Sequence, residues 1–200
     1  MKKIDKWLER AIALVKLEDW QGLLDWCQKW TKSEPLNAEA WYSLGVVYLK
    51  LERYNDSIEA NREAIRINPD FDKTWYNLGI NYWLLERYDD AIEANREAIR
   101  INPDFDKTWY NLGFNYWILD RYDDAIEAFR QVVRINPEDA TTWFCIGNAC
   151  ERLNRHEEAG EAYRQAVRIN PNYAKVFDTR GTSVEYIMEQ EDILFNKIEP

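Results

Sequence analysis

A 34-residue unit runs twice through the middle of this 200-residue chain almost unchanged, and it constrains the fold more than any other feature of the sequence. Glu52 to Leu85 reads ERYNDSIEANREAIRINPDFDKTWYNLGINYWLL, and Glu86 to Leu119 reads ERYDDAIEANREAIRINPDFDKTWYNLGFNYWIL; they differ only at Asn55/Asp89, Ser57/Ala91, Ile80/Phe114 and Leu84/Ile118. A unit of that length cannot bury its own apolar faces, so neighbouring copies must stack and share a core.

With Trp set as position 4, the unit carries Leu at 7, Gly at 8, Tyr at 11, Ala at 20 and Pro at 32. These are Trp75, Leu78, Gly79, Tyr82, Ala91 and Pro103 in one copy, and Trp109, Leu112, Gly113, Tyr116, Ala125 and Pro137 in the next. Trp41, Leu44, Gly45, Tyr48 and Pro69 mark an earlier copy; Trp143, Ile146, Gly147, Cys150, Ala159 and Pro171 mark a later, looser one. A degenerate first copy holds Trp7, Ala11, Leu14, Leu23 and Pro35. Apolar residues recur at helical spacing on both sides of a polar break such as Glu86-Arg87 or Asp120-Arg121, which predicts two amphipathic helices per unit. Asn-Pro pairs at 68–69, 102–103, 136–137 and 170–171 stop the second helix, because the residue before Pro is pushed out of the α region. Gly at position 8 sits inside a helix, where it lets the paired helix approach closely.

The period and these residues resemble the tetratricopeptide repeat family. The resemblance implies an all-α fold, an α-solenoid in which antiparallel helix pairs stack into a right-handed superhelix. Five repeats are expected at 4–37, 38–71, 72–105, 106–139 and 140–173, with a C-terminal capping helix and tail over 174–200, all in a single domain. The polar Arg10 and Arg180 at packing positions suit solvated caps.

At about 100° per residue, positions 4, 7, 8 and 11 of the first helix share one face, and positions 2, 5, 9, 12 and 13 share an adjacent one. That second face is apolar too, and the resemblance assigns it to a concave groove where family members hold peptides. Its residues are Tyr42, Val46 and Leu49; Tyr76, Ile80, Trp83 and Leu84; Lys107, Tyr110, Phe114, Trp117 and Ile118; and Phe144 with Asn148. Trp83 and Trp117 are expected as aromatic anchors, and Asn77 and Asn111 at position 6 as donors and acceptors for a peptide backbone. The alternative is that the face supplies additional contacts between helices. The family commonly has polar residues at positions 9 and 13, so Ile80, Phe114, Leu84 and Ile118 point to an apolar ligand. Asn61 and Asn95 at position 24, where the family places an aromatic, are expected to bond to each other across the repeat interface.

Catalytic chemistry is not in evidence. Asp89-Asp90, Asp123-Asp124 and Glu157-Glu158 recur at one repeat position and open the second helices, as the helix dipole favours. There is no phosphate-binding glycine loop. His156 is the only histidine, and Cys27, Cys145 and Cys150 have no framework spacing, so neither a metal nor a cofactor is expected. Lys and Arg number 26 against 36 Asp and Glu, a net charge of −10, which argues against nucleic acid as the main partner. The longest apolar run near the N-terminus, Ala11 to Val15, is far short of a membrane span, and a cytoplasmic location is expected.

The expected function is a non-enzymatic adaptor that holds an apolar peptide or helix of another protein. The competing readings are a self-assembling structural scaffold, associating through its tail or its ends, and a chaperone-like module for an exported or membrane-complex subunit. In the self-association reading, Ile193 to Ile198 docks in the groove.

Overall fold

The computed structural model describes residues 10–11 and 13–174, and those residues are helical with no strand among them. Packing divides the chain between Ile101 and Asn102 into two compact units. The Trp7, Phe177, Arg180 and Gly181 positions, the capping helix and the 193–198 segment lie outside the described residues.

In the first unit a helical segment ends at residue 16, followed by α1 (Trp20–Ser33), α2 (Ala38–Lys50), α3 (Tyr54–Ile67), α4 (Asp72–Leu84) and α5 (Tyr88–Ile101). The second unit contains α6 (Asp106–Ile118), α7 (Tyr122–Ile135), α8 (Ala140–Arg152), α9 (His156–Ile169) and a single 3-10 turn, Pro171–Tyr173. Every second helix with a described partner begins at repeat position 17, and α3, α5, α7 and α9 each end on the isoleucine before an Asn-Pro pair. The tandem helix-turn-helix pattern follows the sequence period.

The turn within each repeat has one recurrent device. Glu18, Glu52, Glu86, Asp120 and Asn154, all at position 15, adopt positive φ between 53° and 58°. A left-handed residue lets the chain reverse directly after the first helix, a place where glycine is usual because it has no Cβ to clash. The next residue, Arg53, Arg87 or Arg121, lies over the ring of Tyr48, Tyr82 or Tyr116 at 4.5, 4.6 and 4.4 Å. Each of these arginines also pairs with Asp56, Asp90 or Asp124 three residues on, within 2.7 Å. All are partly exposed, so each pair adds at most about 1 kcal/mol.

The core of the first unit includes Leu14, Leu23, Leu24, Cys27, Leu44 and Val47, then Ile58, Leu78, Tyr82, Ala91 and Ala94. The second unit buries Leu112, Tyr116, Ala125, Ile126, Phe129, Val132, Ile146 and Cys150. Each fully buried Leu or Ile contributes roughly 1.5–3 kcal/mol. A Cβ on Gly79 would come within 2.8 Å of Asn95 Oδ1, and one on Gly113 within 2.7 Å of the Phe129 ring, so position 8 is held to glycine by the side chain at position 24 of its own repeat.

That geometry corrects the expected Asn61–Asn95 pair. Position 24 faces the glycine of its own repeat, with Asn61 against Gly45 and Asn95 against Gly79. Asn61 Nδ2 donates to Ser57 Oγ at 3.3 Å, and Ser57 Oγ donates to the Gly45 carbonyl at 2.8 Å. Ala91 replaces Ser57 in the next copy, and neither amide atom of Asn95 finds a partner among the described residues.

Candidate functional site

The first helices α2, α4, α6 and α8 carry the residues of the expected groove, and burial separates them into two sets. Tyr76, Asn77, Ile80, Tyr110, Asn111, Phe114, Phe144 and Asn148 are buried. Tyr42, Val46, Leu49, Trp83, Leu84, Lys107, Trp117 and Ile118 are half-buried. Position 5 is occupied by packing. The Tyr42 ring lies 5.0 Å from Phe71, Tyr110 lies 5.7 Å from Phe129, and Phe144 lies 5.4 Å from Tyr163 and 5.1 Å from Tyr173. Trp117 stacks on Phe114 at 6.3 Å and meets Tyr122 edge-on. Sequence periodicity separates the two faces of a helix but cannot tell which one a neighbouring helix covers.

Position 6 belongs to the same packing. Asn77 lies beside the Tyr42 hydroxyl, and Cys145, its counterpart in the fifth repeat, has its Sγ 3.9 Å from the Tyr110 hydroxyl. Asn77 and Asn111 also accept on their backbone carbonyls from Asn81 Nδ2 at 2.8 Å and Asn115 Nδ2 at 2.6 Å. These i to i+4 bonds satisfy one end of each amide inside the helix layer.

In the second unit, Lys107 and Tyr110 border a cavity of about 470 Å³. Val132, Ala140 and Ile169 give it an apolar wall, and Asp106, Glu138, Asp139, Thr141 and Asn170 a polar one. Asp139 is tied down as the N-cap of α8, accepting from Thr142 N at 3.2 Å and from Thr142 Oγ1 at 2.8 Å. Thr141 Oγ1 and the Tyr173 hydroxyl lie 3.0 Å apart. The Tyr110 hydroxyl is held well above the usual tyrosine range by burial, with Cys145 and Asp139 adding to it. Tyr173 is raised as well, by burial first, with the Thr141 bond opposing. Both phenols are therefore neutral near pH 7, and the cavity presents hydroxyls, one ammonium and carboxylates around an apolar patch.

Thr141, Val132 and Ile169 line the cavity, and none of them is among the groove residues expected from the sequence. Thr141 occupies position 2 of its repeat, as Lys107 does, and could have been found by carrying that position forward. The residues from the second helices could not, because the groove was drawn from the first helices alone.

Among the described residues no group of His, Cys, Asp and Glu could hold a metal ion, and no helix is long and apolar enough to cross a membrane. Cys27, Cys145 and Cys150 are free thiols, and burial pushes Cys27 up to about 12.

Family models described as tetratricopeptide repeat match residues 38–71, 72–105 and 110–174. No curated protein matches the chain. Among solved structures, a crystal structure of MamA shares 25% identity over 86% of this chain and 93% of its own, with a TM-score of 0.77. A MamA structure from Desulfovibrio magneticus RS-1 is 17% identical over 86% of this chain and 97% of its own, also at 0.77. YrrB, described as a TPR protein with an unusual peptide-binding site, is 22% identical over 83% of this chain and 86% of its own, at 0.72.

Proposed function

The chain belongs to the tetratricopeptide repeat family, and on that premise we propose that it is a non-enzymatic protein-interaction scaffold that holds an apolar segment of a partner against the first helices of its second unit. The observation that carries this reading is the cavity of about 470 Å³ bordered by Lys107, Tyr110 and Thr141, a size within the roughly 300–1,000 Å³ common for ligand sites. An apolar side chain of the partner enters against Val132, Ala140 and Ile169. Thr141 and Asn170 hydrogen-bond the partner backbone, and Lys107 meets a carbonyl or carboxylate at the mouth. The half-buried Trp117 and Ile118 extend the contact along α6. The fold likeness to YrrB supports a protein partner at the level of architecture.

The test is site-specific photocrosslinking in the native cell, with p-benzoylphenylalanine replacing Trp117, which borders the contact without lining the cavity, and, as control, at the exposed position 134 of α7. A protein captured from 117 and not from 134 supports the reading. Equal capture from both, or capture of this same chain alone, contradicts it, the latter favouring a self-assembling scaffold.

A further inference from the structure

A second apolar depression lies in the first unit, and none of the expected groove residues lines it. It has a volume of about 660 Å³ and is lined by Pro35, Leu36, Ile67 and Phe71 together with Glu34 and Glu39, at the N-terminal ends of α2 and α4. Leu36 is 75% exposed, which few large apolar side chains in the described residues match.

Phe71 caps α4 without a side-chain hydrogen bond. Helices α2 and α8 are capped by the side chains of Asn37 and Asp139, whereas α4 and α6, preceded by Phe71 and Phe105, have no side-chain cap. An aromatic there gives up the hydrogen bond that Asn or Asp would accept. The Tyr42 ring, 5.0 Å away, holds the Phe71 ring in the wall of the depression.

Charge identifies the occupant. Two of the residues that line the depression are carboxylates and none is cationic, on a chain whose net charge is −10. Glu34 is also fixed in place, its Oε2 accepting from Trp30 Nε1 at 3.1 Å and from Asn37 Nδ2 at 2.8 Å. We propose that this depression docks a partner-protein segment in which an apolar side chain is flanked by Lys or Arg, the apolar group resting on Leu36 and Phe71 and the cations facing Glu34 and Glu39.

The test uses two fluorescein-labelled peptides, one built on Lys-Leu-Phe-Lys and one on Glu-Leu-Phe-Glu, titrated with the full chain by fluorescence anisotropy. The lysine peptide is expected to bind at least about tenfold more tightly and to weaken several-fold as salt rises from about 50 to 300 mM. Leu36→Ser, at an exposed site, and Phe71→Asn, which installs a cap, should each weaken it about fivefold or more with helical circular dichroism retained. Thr141→Trp, in the other cavity, should leave it unchanged. Equal affinity for both peptides, or indifference to Leu36→Ser and Phe71→Asn, would overturn the proposal. A concentration-dependent dimer that Leu36→Ser abolishes in light scattering would overturn it too, by naming a second copy as the occupant.

Discussion

The indole N–H of Trp109 donates a 2.8 Å hydrogen bond to the carbonyl of Pro103, six residues earlier. The same bond joins Trp41 to Pro35, Trp75 to Pro69 and Trp143 to Pro137. The Trp at position 4 thus holds the loop that opens at the proline between repeats. Trp109→Phe keeps an aromatic ring but loses the donor, and should cost about 1–2 kcal/mol in urea unfolding. A change below a few tenths would show that the bond is incidental.

Glutamate is a costly choice for the left-handed turn residue. Glu86 is exposed with φ 57°, so glycine there relieves backbone strain and disturbs no core contact. After the extra entropy of an unfolded glycine, Glu86→Gly should stabilise the chain by about 0.5–1 kcal/mol, and Glu52→Gly should do the same. Destabilisation by either would mean that the glutamate side chain contributes more than its backbone strain costs.

The two nearly matching copies contain their own control. Ser57 gives Asn61 a hydrogen-bond partner, and Ala91 denies one to Asn95. Ala91→Ser should therefore raise stability by about 1 kcal/mol, and Ser57→Ala should lower it by about 1–2 kcal/mol. Thermal melts of the two single variants check both signs.

Alkaline pH should act through Cys27. Its thiol is raised by burial from 9.0 to about 12, so the folded state disfavours the thiolate. A raised folded value gives stability that is complete below the unfolded value and is lost as pH climbs through 9 towards 12. Unfolding free energy measured from pH 8 to 11 should fall more steeply for the native chain than for Cys27→Ala. Parallel curves would contradict the burial.

Much of the architecture is legible in the sequence. The period, the Asn-Pro stops and the acidic first turns of the second helices follow from local rules, and α2 to α9 obey them. What sequence alone did not disclose was tertiary. Tyr76, Tyr110 and Phe144 share a helical face with Trp83 and Trp117, yet the first three are buried and the last two half-buried. Helical angle is a property of one element, and burial depends on which neighbour covers it. The Asn95 mismatch was hidden for the same reason, since only the fold sets position 24 over the glycine at position 8. The positive-φ turn residues carried no glycine to betray them.

In the proposed complex a partner's apolar side chain fills the cavity beside Tyr110 and Thr141. The decisive experiment is calorimetric titration of the segment recovered from the position-117 crosslink, against the native chain and against Thr141→Trp. An indole at 141 occupies the cavity, and affinity should fall at least about tenfold, or about 1.4 kcal/mol, with the melting temperature essentially unchanged. Undiminished affinity in a folded Thr141→Trp protein would mean that the partner binds elsewhere.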